Sequence, residues 1–260
     1  MTIRQETSDG ITLLTLDRPE VHNAFTVEMV DEWADALLDA QQDDDVRVVV
    51  VTGAGRAFCS GIDLAAFADL PDTPLARRSL LTRHVHRVAY AVEALTKPLL
   101  CAINGAAVGA GMDMALMCDI RFASTAARLS EGYVKVGLVP GDGGCYFLPR
   151  LIGSARALEL LWTGDFLSAA AALELGLVSR VYSEDELLPA TMDFARRLAA
   201  GPPVALEMIK LAVSHGLRNA DLRTSLDLIA SHLAVVTSTA DSAEAMAAYT
   251  SKRTPVFGRS

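Results

Sequence analysis

Three small-residue turns carry the chain's best prospects for chemistry: Gly61-Ile62, Gly109-Ala110 and Gly141 to Gly144. Glycine and alanine leave the backbone N–H groups bare, and N–H groups at a helix start have no intrahelical partner. Two such turns, each giving one N–H, would cradle an oxygen that gains negative charge during a reaction. Two carboxylates lie beside them. Asp113 falls in the first turn of the helix expected to start near Gly109, and Asp142 lies inside the third turn. Acids next to a polarised carbonyl suit proton transfer. The plainer reading of the same small residues is close helix–strand packing. For Asp142 it is an Asx-turn residue in a glycine-rich loop.

Other chemistries find less support. There is no GxxxxGK[ST] phosphate loop, and Gly109-Ala110-Gly111 lacks both the third glycine and the acid of a dinucleotide fingerprint. Ser60 is not in a GxSxG elbow and is a poor nucleophile candidate. The cysteines, Cys59, Cys101, Cys118 and Cys145, show neither CxxC spacing nor a nearby histidine pair, so no metal site is expected. They read as reduced thiols of a cytoplasmic protein. With 23 basic against 32 acidic residues, the net charge of −9 argues against nucleic acid and against an anionic membrane as partners. The first residues have no apolar run of a signal peptide, and no segment reads as long and apolar enough to span a bilayer.

The elements that must position these groups read as alternating strands and helices. Ile11 to Leu16 has partial period-2 alternation, and Val46 to Val51 is a β-branched run suited to burial on both faces. Thr26 is the expected N-cap of a helix carrying Met29, Val30, Trp33, Leu37 and Leu38 at helical spacing. Phe58 to Leu64 reads as a turn into a short helix, and Ser79 to Thr96 as an amphipathic helix. Its His84 and His86 are too close in sequence to share a face. Leu99 to Ile103 reads as a buried strand, Asn104-Gly105 as a tight turn, and Asp119 to Phe122 and Leu177 to Val181 as strands. Glu131, two residues before Tyr133, would face away from it if that segment were a strand. After Ser183 the pattern is helical only, with helices expected over Glu184 to Ala200, Pro203 to about His215, Leu222 to Val236 and Ser242 to Tyr249. The expectation is an α/β core over residues 1–200 with a helical region over 201–260.

Four segments together resemble the crotonase (enoyl-CoA hydratase/isomerase) superfamily. They are Leu16-Asp17-Arg18-Pro19-Glu20 with Asn23-Ala24-Phe25; Ala57 to Leu64; Lys97 through Asp113 to Ile120; and Gly137 to Gly144 with Leu148 to Gly153. The tail, Lys252-Arg253 and Phe257-Gly258-Arg259, is also similar to the family's. The resemblance implies a spiral of ββα units with C-terminal helices that build a homotrimer, or a hexamer as a dimer of trimers. It implies an acyl-CoA ligand, with no cofactor beyond the coenzyme A of the substrate. Residues Ala57, Phe58, Ser60, Asp63 and Leu64 would lie along the coenzyme A, and Ala65 to Phe67, the 70–74 segment and the 79–86 region along the acyl chain. The thioester oxygen would rest on the N–H groups of Ile62 and Ala110. Asp113 falls where hydratases carry their first glutamate, one methylene shorter. Tyr133 falls where they carry the second, and Asp142 one residue past the acid of related isomerases. Enoyl-CoA hydration is the leading expectation. The alternatives are isomerisation, hydrolysis, decarboxylation or retro-aldol cleavage through the same enolate, or an acyl-CoA-binding subunit impaired in catalysis.

Overall fold

The structure is a computed structural model that describes residues 2–63, 73–218 and 221–258. Two parallel-rich sheets are threaded by one chain. The first sheet has the order β1-β2-β3-β5-β7-β10, built from β1 (Ile3–Ser8), β2 (Ile11–Leu16), β3 (Val48–Gly53), β5 (Leu99–Ile103), β7 (Ile120–Ser124) and β10 (Arg180–Tyr182). The second has the order β4-β6-β8-β9, from β4 (Ala57–Cys59), β6 (Ala106–Val108), β8 (Arg128–Ser130) and β9 (Leu167–Ser168). Each pass of the chain adds one strand to each sheet: β3 then β4, β5 then β6, β7 then β8. The helices α1 (Val27–Gln42), α2 (Pro74–Leu80), α3 (His86–Ala94), α4 (Ala110–Leu116), α5 (Gly144–Ile152), α6 (Ser154–Thr163), α7 (Ala169–Glu174) and α8 (Glu184–Ala199) lie between or after these passes. This is the expected spiral of ββα units.

The β-branched run of β3 shows why its strand is apolar on both faces. Val49 and Val51 join the main core with Trp33 and Leu37 of α1, whereas Val48 and Val50 meet Leu100 and the Ala195 and Ala199 of α8. Side-chain period 2 sends neighbours to opposite layers. Thr26 caps α1, its hydroxyl accepting from Met29 N.

Several boundaries differ from the sequence reading. The amphipathic segment starts earlier, at Pro74, and is broken at Leu81–Val85 by one π-helical turn. His84 and His86 do part company: His84 Nδ1 lies 2.8 Å from Asp31 Oδ2, and His86 Nε2 2.8 Å from Gly141 O. The short strands of the second sheet were not separable from turns, because strands of two or three residues carry no periodicity. The helix expected to follow Phe58 to Leu64, with Leu64, Ala65 to Phe67 and residues 70–72, lies outside the described residues.

The last helices, α9 (Pro203–Arg218), α10 (Leu222–Thr237) and α11 (Ala240–Ser251), are tied to the core by a few polar contacts. Lys210 Nζ pairs with Asp119 Oδ2 at 2.8 Å and donates to Lys97 O at 2.9 Å. Arg47 Nη1 donates to Ala199 O at 2.9 Å. Yet α10 buries none of its side chains, and Ile209, Val213, Leu217, Leu226 and Leu233 are exposed.

Candidate active site

The first turn is held by a buried asparagine. Asn23, in the left-handed region at φ 57°, points Nδ2 at Ala54 O, Ala57 O and Phe58 O within 2.8 to 3.1 Å. This pins β4 and the turn after it. Phe25 N donates to Gly61 O at 2.9 Å and Asp63 N to Phe25 O at 3.0 Å. In that parallel bridge the N–H of Ile62 itself points to the other side, away from Phe25.

The second turn meets it. Gly109, at φ 52°, donates its N–H to Ser130 O at 2.7 Å and precedes α4, so the N–H of Ala110 is the first of the helix and has no partner within it. A Cβ on Gly61, whose φ is 96°, would stand 3.6 Å from Ala110 N and 2.9 Å from Val108 O. The two turns therefore touch, and only glycine permits the approach. Gly111 lets α4 press on β4 in the same way: a Cβ there would fall 2.1 Å from Cys59 O.

Asp113, one turn along α4 from Ala110, is fully buried. Its Oδ2 lies 2.8 Å from the phenol oxygen of Tyr133, which lies 2.6 Å from Asp142 Oδ2. Tyr133 also packs its ring near Gly109, where a Cβ would stand 3.6 Å from Cε2. The three acid–base candidates thus form one buried chain beside the two bare N–H groups. His86 holds the third turn by donating from Nε2 to Gly141 O.

The phenol has one proton and two carboxyl neighbours, so one of the carboxyls has to carry a proton for both contacts to be hydrogen bonds. Electrostatics agrees. Burial, then the Asp142 charge, pushes Asp113 up to about 7. Burial also raises Asp142, against the opposing pulls of the Tyr133 hydrogen bond and His86. Burial and both aspartates raise Tyr133 far above its usual value, so it remains a neutral phenol.

A fourth member was not foreseen. Glu131, 1% exposed, points into the same cluster rather than away from it. The strand β8 ends at Ser130, and Gly132–Val136 is a 3-10 helix, so the alternation of a pleat does not continue to Tyr133. The glycine directly after Glu131 was the available signal.

The residues expected along coenzyme A are less uniform. Ala57 and Phe58 have buried side chains in β4, and their carbonyls are engaged by Asn23. Ser60 is exposed, with Oγ 3.4 Å from Val21 O. Asp63 Oδ2 pairs with Arg18 Nη2 at 2.9 Å. A cavity of about 630 Å³ opens beside Asp142, lined by His86, Tyr90, Met117, Tyr146 and Phe147 among others. Among the described residues no group of three His, Cys, Asp or Glu side chains is arranged to hold a metal ion.

A family model described as enoyl-CoA hydratase/isomerase matches residues 6–260. The chain is 37% identical over 253 residues to the 1,2-epoxyphenylacetyl-CoA isomerase of Escherichia coli, covering 95% of each chain. It is 32% identical to the crotonyl-CoA hydratase of Syntrophomonas wolfei over 97% of this chain and 96% of that one. The crystal structure of an enoyl-CoA hydratase from Bacillus anthracis superposes with a TM-score of 0.95 at 32% identity, covering 100% of both.

Proposed function

The chain belongs to the enoyl-CoA hydratase/isomerase family, and from that membership we propose an acyl-CoA-processing enzyme that works through a thioester enolate. The thioester oxygen rests on the N–H groups of Ile62 and Ala110, and Asp113 is the base. One observation carries the reading: two bare backbone donors from touching turns stand next to a buried chain of proton carriers. Donors aimed at a developing oxyanion act strongly in such a dry site.

Hydration of a 2-enoyl-CoA is the first reading. Asp113 takes a proton from water as the water oxygen bonds to Cβ. The electron pair of the double bond passes to the thioester oxygen. Asp142 in its acid form then returns a proton to Cα. Both carboxyls already reach toward one oxygen, the phenol of Tyr133. That same contact favours double-bond isomerisation as a second reading, since the phenol fills the place where a water bound by both acids would stand. A 1,3-proton shift needs no water. Incubation with crotonyl-CoA and with a 3-enoyl-CoA separates the two. Loss of enoyl-thioester absorbance from the first marks hydration, and gain of it from the second marks isomerisation. Calorimetry that detects no acetoacetyl-CoA binding at millimolar concentration would overturn the acyl-CoA reading. Binding without turnover across a broad acyl-CoA panel would leave only a binding subunit.

This chemistry calls for no resident cofactor, since coenzyme A arrives with the substrate. Ser60, Asp63 and the backbone of Ala57 and Phe58 are the candidates to meet it, and the 630 Å³ cavity beside Asp142 is the candidate acyl site. We also propose that residues 201–260 serve assembly into a homotrimer or a hexamer. The exposed Ile209, Val213 and Leu217, spaced four apart on α9, with Leu226 and Leu233 on α10, form apolar stripes that a second copy would cover. Light scattering is expected to return about three or six times 27.7 kDa, and a monomer at micromolar concentration would contradict it. All four cysteines are free, three of them buried, which suits a reducing, cytoplasmic setting. Among the described residues no helix is long and apolar enough to cross a membrane.

A further inference from the structure

The buried cluster holds one acid more than the proposed reaction uses. Glu131 stands behind Asp113. From the point where a Cβ on Gly144 would be, Asp113 Oδ1 is 2.4 Å away and both oxygens of Glu131 are 3.0 Å away. Three carboxyl oxygens from two side chains thus converge over a single glycine, and any side chain at position 144 would strike both acids.

The groups that face Glu131 are Asp113 from α4, Asp142 from the third turn and the Cys145 thiol from α5. None of them is a cation, and His86 acts on Asp142. With all three carboxyls ionised, Asp113 Oδ1, Asp142 Oδ1 and both Glu131 oxygens would be buried with no hydrogen-bond partner. Such an arrangement is costly in a dry interior, and proton uptake is the ordinary escape.

We propose that Glu131 is a positioning residue: it stays protonated and donates to Asp113 Oδ1, which leaves Asp113 as the ionised member of that pair. This rests on the reading of Asp113 as the base. The hydrogen-bond ledger then closes around Asp113. Glu131 donates to Oδ1, and Tyr133 donates to Oδ2. The order of proton affinities supports the assignment. Burial first, then the Asp113 charge, pushes Glu131 up to about 10, whereas Asp113 reaches about 7. Where Asp113 ionises, Glu131 keeps its proton. Glu131 is not itself among the residues that line the 630 Å³ cavity, so its effect runs through Asp113.

Carbon-13 NMR of the labelled carboxyl groups tests this in the intact protein. In the unaltered chain the Glu131 carboxyl is expected to keep its acid-form shift from about pH 5 to about 8, far above the usual glutamate range. Titration inside that window overturns the proposal. Glu131→Gln keeps an N–H donor without an ionisable proton and is expected to leave the Asp113 titration in place. Glu131→Leu removes the donor and is expected to raise it by about one unit or more, which takes the ionised fraction at pH 7 from about one half to about one tenth or less, roughly a fivefold loss. The same split should appear in kcat. Glu131→Gln retains most activity, and Glu131→Leu loses about fivefold at pH 7 and recovers as pH rises. If both variants move Asp113 alike, or neither moves it, the role is merely structural and the proposal fails. Full activity of Asp113→Asn would instead remove the catalytic reading, while the NMR titrations still decide the Glu131–Asp113 contact.

Discussion

Asp113→Asn is expected to lower kcat for enoyl-CoA turnover by about 10²- to 10⁴-fold, the range of a lost general base. The substitution is close to isosteric, and the Asn oxygen still accepts from the Tyr133 phenol, so the cluster keeps its shape. What is lost is the capacity to take a proton. The unaltered enzyme is expected to gain activity as pH rises through about 7, where Asp113 ionises, and the Asn variant to lose that rise. Stability should move the other way. A carboxyl whose folded pKa lies above its unfolded value contributes stability below the unfolded pKa and loses it as pH rises through the folded one. Burial raises Asp113 in that sense. The Asn variant should therefore gain thermal stability relative to the unaltered chain above pH 7, and gain less near pH 4. Melting curves at the two pH values check the sign. Steady-state rates within tenfold of the unaltered enzyme would remove Asp113 from the role of base.

Ala110→Pro is expected to lower kcat by about 10²- to 10³-fold, the cost of one oxyanion donor. Position 110 is the first residue of α4, where proline is well tolerated because the N–H there has no intrahelical partner to lose. Gly109 before it, at φ 52° and ψ −122°, is outside the α region that a following proline disfavours. The variant therefore deletes the N–H with the backbone path largely kept. Ala110→Gly keeps the N–H and is the matched control, expected to stay within a few-fold of the unaltered rate. A Pro variant as active as the Gly variant, with circular dichroism showing both folded, would exclude a donor at this position.

The gap between sequence and structure is sharpest at Glu131 and Tyr133. Their two-residue spacing suggested opposite faces, which holds only while the chain is pleated. The pleat stops at Ser130, and a 3-10 turn brings both side chains to one place. Tyr133 itself was legible only as a residue standing where relatives of known pattern carry an acid. That its hydroxyl bridges Asp113 and Asp142 depends on segments brought together from α4, the 3-10 turn and the third glycine turn. Conversely, Val48 to Val51, Thr26 and the Gly109-Ala110 helix start were readable directly, because burial on both faces, a cap and a helix N-terminus are local properties.

By itself the sequence determined the alternation of strand and helix, the place of each small-residue turn, the family resemblance and the helical character of the last third. These follow from side-chain type, periodicity and backbone freedom over a few neighbouring residues. Only the tertiary structure decided that the Gly61 and Ala110 turns touch, that Asp142 reaches Tyr133, and that Glu131 stands against Asp113 over Gly144. Those contacts join residues up to some fifty positions apart in chain. Proton affinities in the cluster are set by mutual charge and burial, which exist only once the chain has folded.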